Sequence, residues 1–117
     1  MVRYYGCKKN YTINPDWTIN VNGDVYLYRK NLTEFPDYIK FNNVSGYFDC
    51  SNNQLISLKG CPTSVGGGFV CSRNQLTSLK GCPTSVGGVF YCWNNPGKFT
   101  EEDVLKVCKV NPKNIVI

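Results

Sequence analysis

Residues 50–67 read CSNNQLISLKGCPTSVGG, and residues 71–88 read CSRNQLTSLKGCPTSVGG. The two stretches differ only at Asn52/Arg73 and Ile56/Thr77, a likeness that chance does not produce. The offset is 21 residues, and it runs past the quoted text. Phe48, Phe69 and Phe90 keep it, as do Cys50, Cys71 and Cys92, then Asn53, Asn74 and Asn95, and Val44, Val65 and Val86. Leu55/Leu76, Leu58/Leu79 and Cys61/Cys82 follow the same spacing. Upstream, Val25, Leu27, Leu32 and Phe35 align with Phe48, Cys50, Leu55 and Leu58, with a tail two residues longer. A unit this short cannot bury its own apolar face, so successive units must stack. About four coils are expected, at 24–46, 47–67, 68–88 and a truncated 89–97.

Within each unit Phe-x-Cys alternates like a short strand, and Asn-x-Leu-x-x-Leu reads as a turn and an apolar return leg. Gly-Cys-Pro and Val-Gly-Gly then interrupt any regular element. Phe69-x-Cys71-x-x-Asn74-x-Leu76-x-x-Leu79 resembles the leucine-rich repeat, and Asn74 to Leu79 is similar to the short repeats of bacterial effector proteins. The Gly-Cys-Pro-x-x-Val-Gly-Gly-x-Phe-x-Cys wording resembles small proteins of tailed bacteriophages. The resemblance covers about 75 of the 117 residues and implies a leucine-rich-repeat solenoid. The fold expected is one short parallel β-sheet of about four coils with irregular return legs, an N-terminal β-hairpin cap and a C-terminal α-helix cap. One departure stands out: Gly66 and Gly67 follow Val65 where the standard pattern opens on its apolar residue.

An open coil end is a sheet edge prone to aggregation, so caps are expected at both ends. The segment assignment is 1–23 as N-terminal cap, 24–97 as repeats and 98–117 as C-terminal cap. Ile19-x-Val21-Asn22-Gly23-x-Val25-x-Leu27 reads as a hairpin around an Asn-Gly turn, with Ile13, Trp17, Ile19 and Val21 as its apolar face. Thr100-Glu101-Glu102-Asp103 resembles a capping box before Val104, Leu105, Val107 and Cys108, opening a helix over about 100–110 that covers the last coil. Asn111-Pro112 stops that helix, and Ile115-Val116-Ile117 reads as a short strand.

The absence of histidine removes Ser-His-Asp and Cys-His catalysis and every His-containing metal site. The net charge of +5 is spread along the chain rather than clustered. No apolar run approaches the roughly 20 residues of a membrane helix, and the first residues lack the apolar stretch of a signal peptide. A cytoplasmic setting is therefore the expectation, which the phage resemblance implies to be a bacterial host cell, with the seven cysteines as thiols rather than bridges. Cys50, Cys71 and Cys92 should form one inward ladder and Cys61 with Cys82 another, as small buried hydrophobes. No Cys-x-x-Cys occurs, so no metal and no cofactor are expected. Cys7, beside Lys8 and Lys9, is the one thiol whose neighbours favour the thiolate. Asn53, Asn74 and Asn95 read as amides satisfying buried backbone. The glycine pairs read as tight turns, not phosphate loops.

Because side chains alternate along a strand, the Phe-x-Cys phase fixes an outward set in every coil. It comprises Asp24, Tyr26, Tyr28 and Arg29; Tyr47, Asp49, Ser51 and Asn52; Gly68, Val70, Ser72 and Arg73; and Val89, Tyr91, Trp93 and Asn94. The nearly identical coils differ on this face at Asp49/Val70 and Asn52/Arg73. Tyr, Trp and Arg dominate protein-interface energetics. The binding residues expected are Tyr26, Tyr28, Arg29, Tyr47, Asp49, Asn52, Val70, Arg73, Tyr91 and Trp93, with a host or phage protein as partner. The same aromatics also suit sheet stabilisation or self-association. With Arg29 and Arg73 they suit single-stranded nucleic acid as well, against which Asp24 and Asp49 count. No carboxylate pair at defined spacing argues for an enzyme. The phage resemblance implies a non-enzymatic protein-binding module, such as an inhibitor of a host enzyme or defence complex. A self-assembling structural role is the alternative.

Overall fold

The computed structural model describes residues 10–117. Among the described residues the chain is mostly sheet, with parallel strands and one α-helix. Ten short strands among the described residues make two five-stranded sheets. The first sheet holds β1 (Tyr11–Ile13), β2 (Thr18–Val21), β4 (Lys40–Val44), β6 (Ser64–Val65) and β8 (Ser85–Val86), in that order. The second holds β3 (Val25–Tyr26), β5 (Phe48–Asp49), β7 (Phe69–Val70), β9 (Phe90–Tyr91) and β10 (Ile115–Val116) in a row. Every pairing is parallel except β1 with β2. Register follows the sequence period: Phe48 pairs with Phe69 and Phe69 with Phe90, while Val44 pairs with Val65 and Val65 with Val86.

The first sheet corrects the sequence reading, which gave one sheet and irregular return legs. A return leg also carries a strand, Ser64–Val65 or Ser85–Val86, only two residues long. The two strands of a coil are joined at a corner where backbones stack too closely for side chains. Gly67 N–H donates to Gly46 O at 2.9 Å, and Gly88 N–H donates to Gly67 O at 2.8 Å. A Cβ on Gly87 would sit 2.3 Å from Gly66 O, so the glycine pair is a packing requirement.

The core lies between the sheets. Phe48, Phe69 and Phe90 are fully buried and stack in one column, with ring centroids 6.1 and 5.2 Å apart. Val25 closes the column at one end. Leu55, Leu58, Leu76 and Leu79 fill the return side, and Cys50, Cys71 and Cys92 line up beside the rings. Burying each such phenylalanine contributes about 1.5–3 kcal/mol.

Asn53, Asn74 and Asn95 hold the turns that leave the second sheet. Asn74 Oδ1 accepts from Leu55 N–H at 3.0 Å, and its Nδ2 donates to Cys50 O and Cys71 O, both at 3.0 Å. Asn53 does the same for Lys30, Leu32, Leu27 and Cys50, and Asn95 for Leu76, Cys71 and Cys92. Each amide ties its own turn to the coil before it, the satisfaction of buried backbone expected of these positions.

The caps differ in detail from the sequence reading. Asn22-Gly23 is a corner between β2 and β3, which lie in different sheets, and not a hairpin turn. The antiparallel pair is β1–β2, closed by residues 14–17, where Asn14 N–H donates to Thr18 O. Ile19 and Val21 are buried, but Ile13 and Trp17 are 54% and 80% exposed. Trp17 occupies the left-handed region at φ 68°, which turns it out at the hairpin tip. At the other end α1 spans Glu101–Val107, with the expected capping box between Thr100 and Asp103. The helix buries Val104 alone, and Leu105 and Val107 are exposed. It stops at Cys108 because the chain there turns extended, Lys109 bridging to Ser85. A 3-10 turn at Pro112–Asn114 then leads into β10, which covers the outer edge of β9.

Candidate functional site

The strands of the second sheet carry Tyr26, Asp49, Val70 and Tyr91 from the set singled out in the sequence. Its strands are two residues long, so alternation holds for only part of each coil. Tyr26, Tyr28 and Tyr47 are 42–47% exposed. Arg29 and Arg73 are exposed, and Asp49, Asn52, Val70, Tyr91 and Trp93 are partly covered. Tyr26, Asp49, Val70 and Tyr91 pair in register across β3, β5, β7 and β9 and form one surface, while Phe48, Phe69 and Phe90 are buried beneath it.

Three members of the broader outward set do not fit it. Ser51 and Ser72 are 7% and 1% exposed. They follow the strand, where the chain bends into the left-handed residues Asn52 and Arg73 (both φ 56°) and draws the serines in. Gly68 is buried because Tyr47 and Val89 meet over it, and a Cβ there would lie 2.5 Å from the Tyr47 ring. The missing side chain makes the bed in which Tyr47 lies.

The face is ordered by its own contacts. Tyr26 and Tyr28 meet edge-to-face at 6.1 Å. The Arg73 guanidinium sits over the Trp93 ring, 5.1 Å from its centroid, a cation–π pair worth about 0.5–1 kcal/mol at such a surface. Asp24 accepts from the Tyr47 N–H at 2.7 Å and from the Tyr26 hydroxyl at 3.2 Å. Partial desolvation of the Tyr26 hydroxyl, and then that carboxylate, raise its pKa above the usual phenol value. Asp49 accepts from the Ser51 N–H at 3.0 Å and from its hydroxyl at 2.6 Å. Both carboxylates thus serve the fold as acceptors.

Arg29, Asn52, Arg73 and Asn94 all adopt φ between 54° and 57°, one per coil. Asparagine tolerates this region; arginine does not favour it. Sequence reading missed this strain, because nothing local in Tyr28-Arg29 or Ser72-Arg73 marks it. The asparagines at the same repeat position are the only available signal.

Burial pushes Cys61 and Cys71 well above the usual thiol range, Cys82 up to about 12, and Cys92 and Cys108 up to about 11. All six described cysteines are unbridged, and no cluster of three or more metal-ligating side chains occurs among the described residues. Cys7 lies outside the described residues. A cleft of about 710 Å³ under α1 includes Cys82, Lys80, Asp103 and Lys106. Its thiol is shifted away from nucleophilicity. A second depression of about 580 Å³ on the first sheet is lined by uncharged groups, chiefly Asn20, Asn43 and Ser64 with Tyr11. Among the described residues no helix is long and apolar enough to cross a membrane. Compared with protein-family models, curated proteins and solved structures, the chain matches none.

Proposed function

We propose that the chain is a short leucine-rich-repeat solenoid that acts as a protein-binding module without chemistry of its own. Support for the solenoid comes from the stacking of Phe48, Phe69 and Phe90 in strand register and from the asparagine ladder at the same period. One observation carries the binding role: two coils with nearly the same text differ at Asp49/Val70 and Asn52/Arg73, on the face that also gathers the exposed tyrosines. A surface needed only for solubility has no reason to hold Tyr26, Tyr28 and Tyr47 nearly half exposed beside Arg29, Arg73 and Trp93. The phage resemblance adds a bacterial host or phage protein as the partner, bound in the cytoplasm so as to inhibit a host enzyme or defence complex.

The test is affinity capture from bacterial lysate with the wild type and with the Tyr91→Ala/Trp93→Ala double variant. The expected result is a protein retained by the wild type and lost with the variant. Recovery of the same proteins by both places binding elsewhere. Single-stranded nucleic acid is the second reading, favoured by the Arg73–Trp93 pair. It predicts that capture of oligonucleotides falls steeply with salt.

A further inference from the structure

β2 pairs with β4 at Ile19 and Phe41 and again at Val21 and Val44, so one extra residue lies on β4 between the two pairs. Asn42 and Asn43 therefore share the place opposite Asn20. The later strands of the first sheet run on without an insertion, Asn43 facing Ser64 and Ser64 facing Ser85. A bulge of this kind re-aims the side chains beside it, and bulges are over-represented next to functional sites.

The depression on the first sheet lies at this bulge, and its volume of about 580 Å³ falls within the roughly 300–1,000 Å³ of small-molecule sites. No charged residue lines it, although the chain carries a net charge of +5. Its shape follows from the row after the paired valines, Asn22, Ser45 and Gly66, where the side chain shrinks from amide to hydroxyl to none. The third position must be glycine, because a Cβ there would lie 2.5 Å from Ser45 O. Two of the lining amides are held by lining hydroxyls. Ser45 Oγ accepts from Gly23 N–H at 2.8 Å and donates to Asn22 Oδ1 at 3.3 Å, and Ser64 Oγ donates to Asn43 Oδ1. Asn22 and Asn43 are exposed, and among the described residues neither Nδ2 has an acceptor.

We propose that this depression binds a neutral saccharide. An asparagine amide donates and accepts side by side, which matches a pair of adjacent sugar hydroxyls. A charged ligand would lose water there and find no counter-charge in the lining. Tyr11, partly buried among the lining residues, adds aromatic carbon for the C–H side of a sugar ring. The hydroxyls of Ser45 and Ser64 hold the two amides before a ligand arrives, which lowers the ordering cost of binding. The site is on the first sheet, across the core from the tyrosine-bearing strands, so it is independent of the protein-binding reading.

The side-chain amide NMR signals of the isotope-labelled full chain read this site directly. Maltotriose, mannotriose and triacetylchitotriose are titrated separately, with tetraglycine and sodium phosphate as competing chemistries. The expected result is a saturable shift of the Asn22 and Asn43 amide signals with at least one trisaccharide. The amides of Asn52 and Asn94, in left-handed turns leaving the second sheet, should stay in place. Asn22→Ser and Asn43→Ser import the residues that the next strand holds at those positions, Ser45 and Ser64. Each should weaken trisaccharide binding about tenfold, as loss of a hydrogen-bonding amide implies, with thermal melts to check folding. The proposal is overturned if no trisaccharide moves the Asn22 and Asn43 signals, or if Asn52 and Asn94 shift with them. It is equally overturned if either folded variant binds as the wild type does, or if tetraglycine or phosphate binds there more tightly than every trisaccharide.

Discussion

Coils two and three are the same object below the surface and different objects above it. Below, Phe48 and Phe69 are fully buried, as are Leu55 and Leu76, and Asn53 and Asn74 bridge to the preceding coil with the same atoms. Above, coil two is self-contained, its Asp49 carboxylate consumed by Ser51 and its left-handed turn made by an asparagine. Coil three gives up that acceptor for Val70, leaves Ser72 unpartnered and accepts an arginine at the strained position. Burial constrains a residue by volume and by hydrogen-bond satisfaction, both set by the neighbouring coils. The exposed positions are held by fewer neighbours, so residues can differ there at a smaller cost to the core.

The largest effect tests the lower half of this comparison. Phe48→Ala and Phe69→Ala should each cost about 3–5 kcal/mol by urea unfolding. Unequal costs, beyond about 1 kcal/mol, would mean that the two coils do not share one core. Asn53→Ala and Asn74→Ala come next. Each leaves buried backbone groups unpaired and should cost about 2–4 kcal/mol. Asn95→Ala should cost less, since Asn95 is only partly buried in the last coil.

The upper half is tested by exchanging residues between coils. Asp49→Val strands the Ser51 hydroxyl and should destabilise by about 1–2 kcal/mol, whereas Val70→Asp supplies Ser72 and should stabilise by up to about 1 kcal/mol. Effects of the same sign would show that the coils do not differ in the way described.

A further test of the buried interior comes from pH. Burial raises the pKa of the Cys71, Cys82, Cys92 and Cys108 thiols in the folded chain. In the unfolded chain a thiol ionises near about 8.5, and the folded state then holds the proton that the unfolded state has lost. The stabilisation is complete below that pH and drains away as pH rises toward the folded values, about 11 for Cys92 and about 12 for Cys82. The slope is about 1.4 kcal/mol per pH unit for each thiol that ionises only on unfolding. Unfolding midpoints between pH 8 and 10.5 should therefore fall, and less steeply in Cys92→Ala. A flat profile would mean that the ladder is not buried.

The 21-residue period made the second sheet, its register, the phenylalanine and cysteine columns and the asparagine contacts legible in the sequence. The first sheet was not legible, because Ser64–Val65 and Ser85–Val86 carry one apolar residue each and offer no alternation to read. Asn22-Gly23 looked like a hairpin turn because the same pair serves a tight turn and a stacked corner. Only the pairing of β2 and β3 in different sheets separates them. On the candidate face Tyr26, Asp49, Val70 and Tyr91 followed from strand phase. Ser51, Ser72 and Gly68 did not, because the strand ends before the serines and a neighbouring tyrosine covers the glycine.

Side-chain amide hydrogen exchange, followed by NMR on asparagine-assigned protein, reads the repeated interior most directly. The Nδ2 protons of Asn53 and Asn74 should exchange slowly and alike, because each amide is shut between two coils. Those of Asn52 and Asn94, one residue earlier in their turns, should exchange quickly. Fast exchange at Asn53 and Asn74 would contradict the stacked interior, and with it the face that the stacking defines.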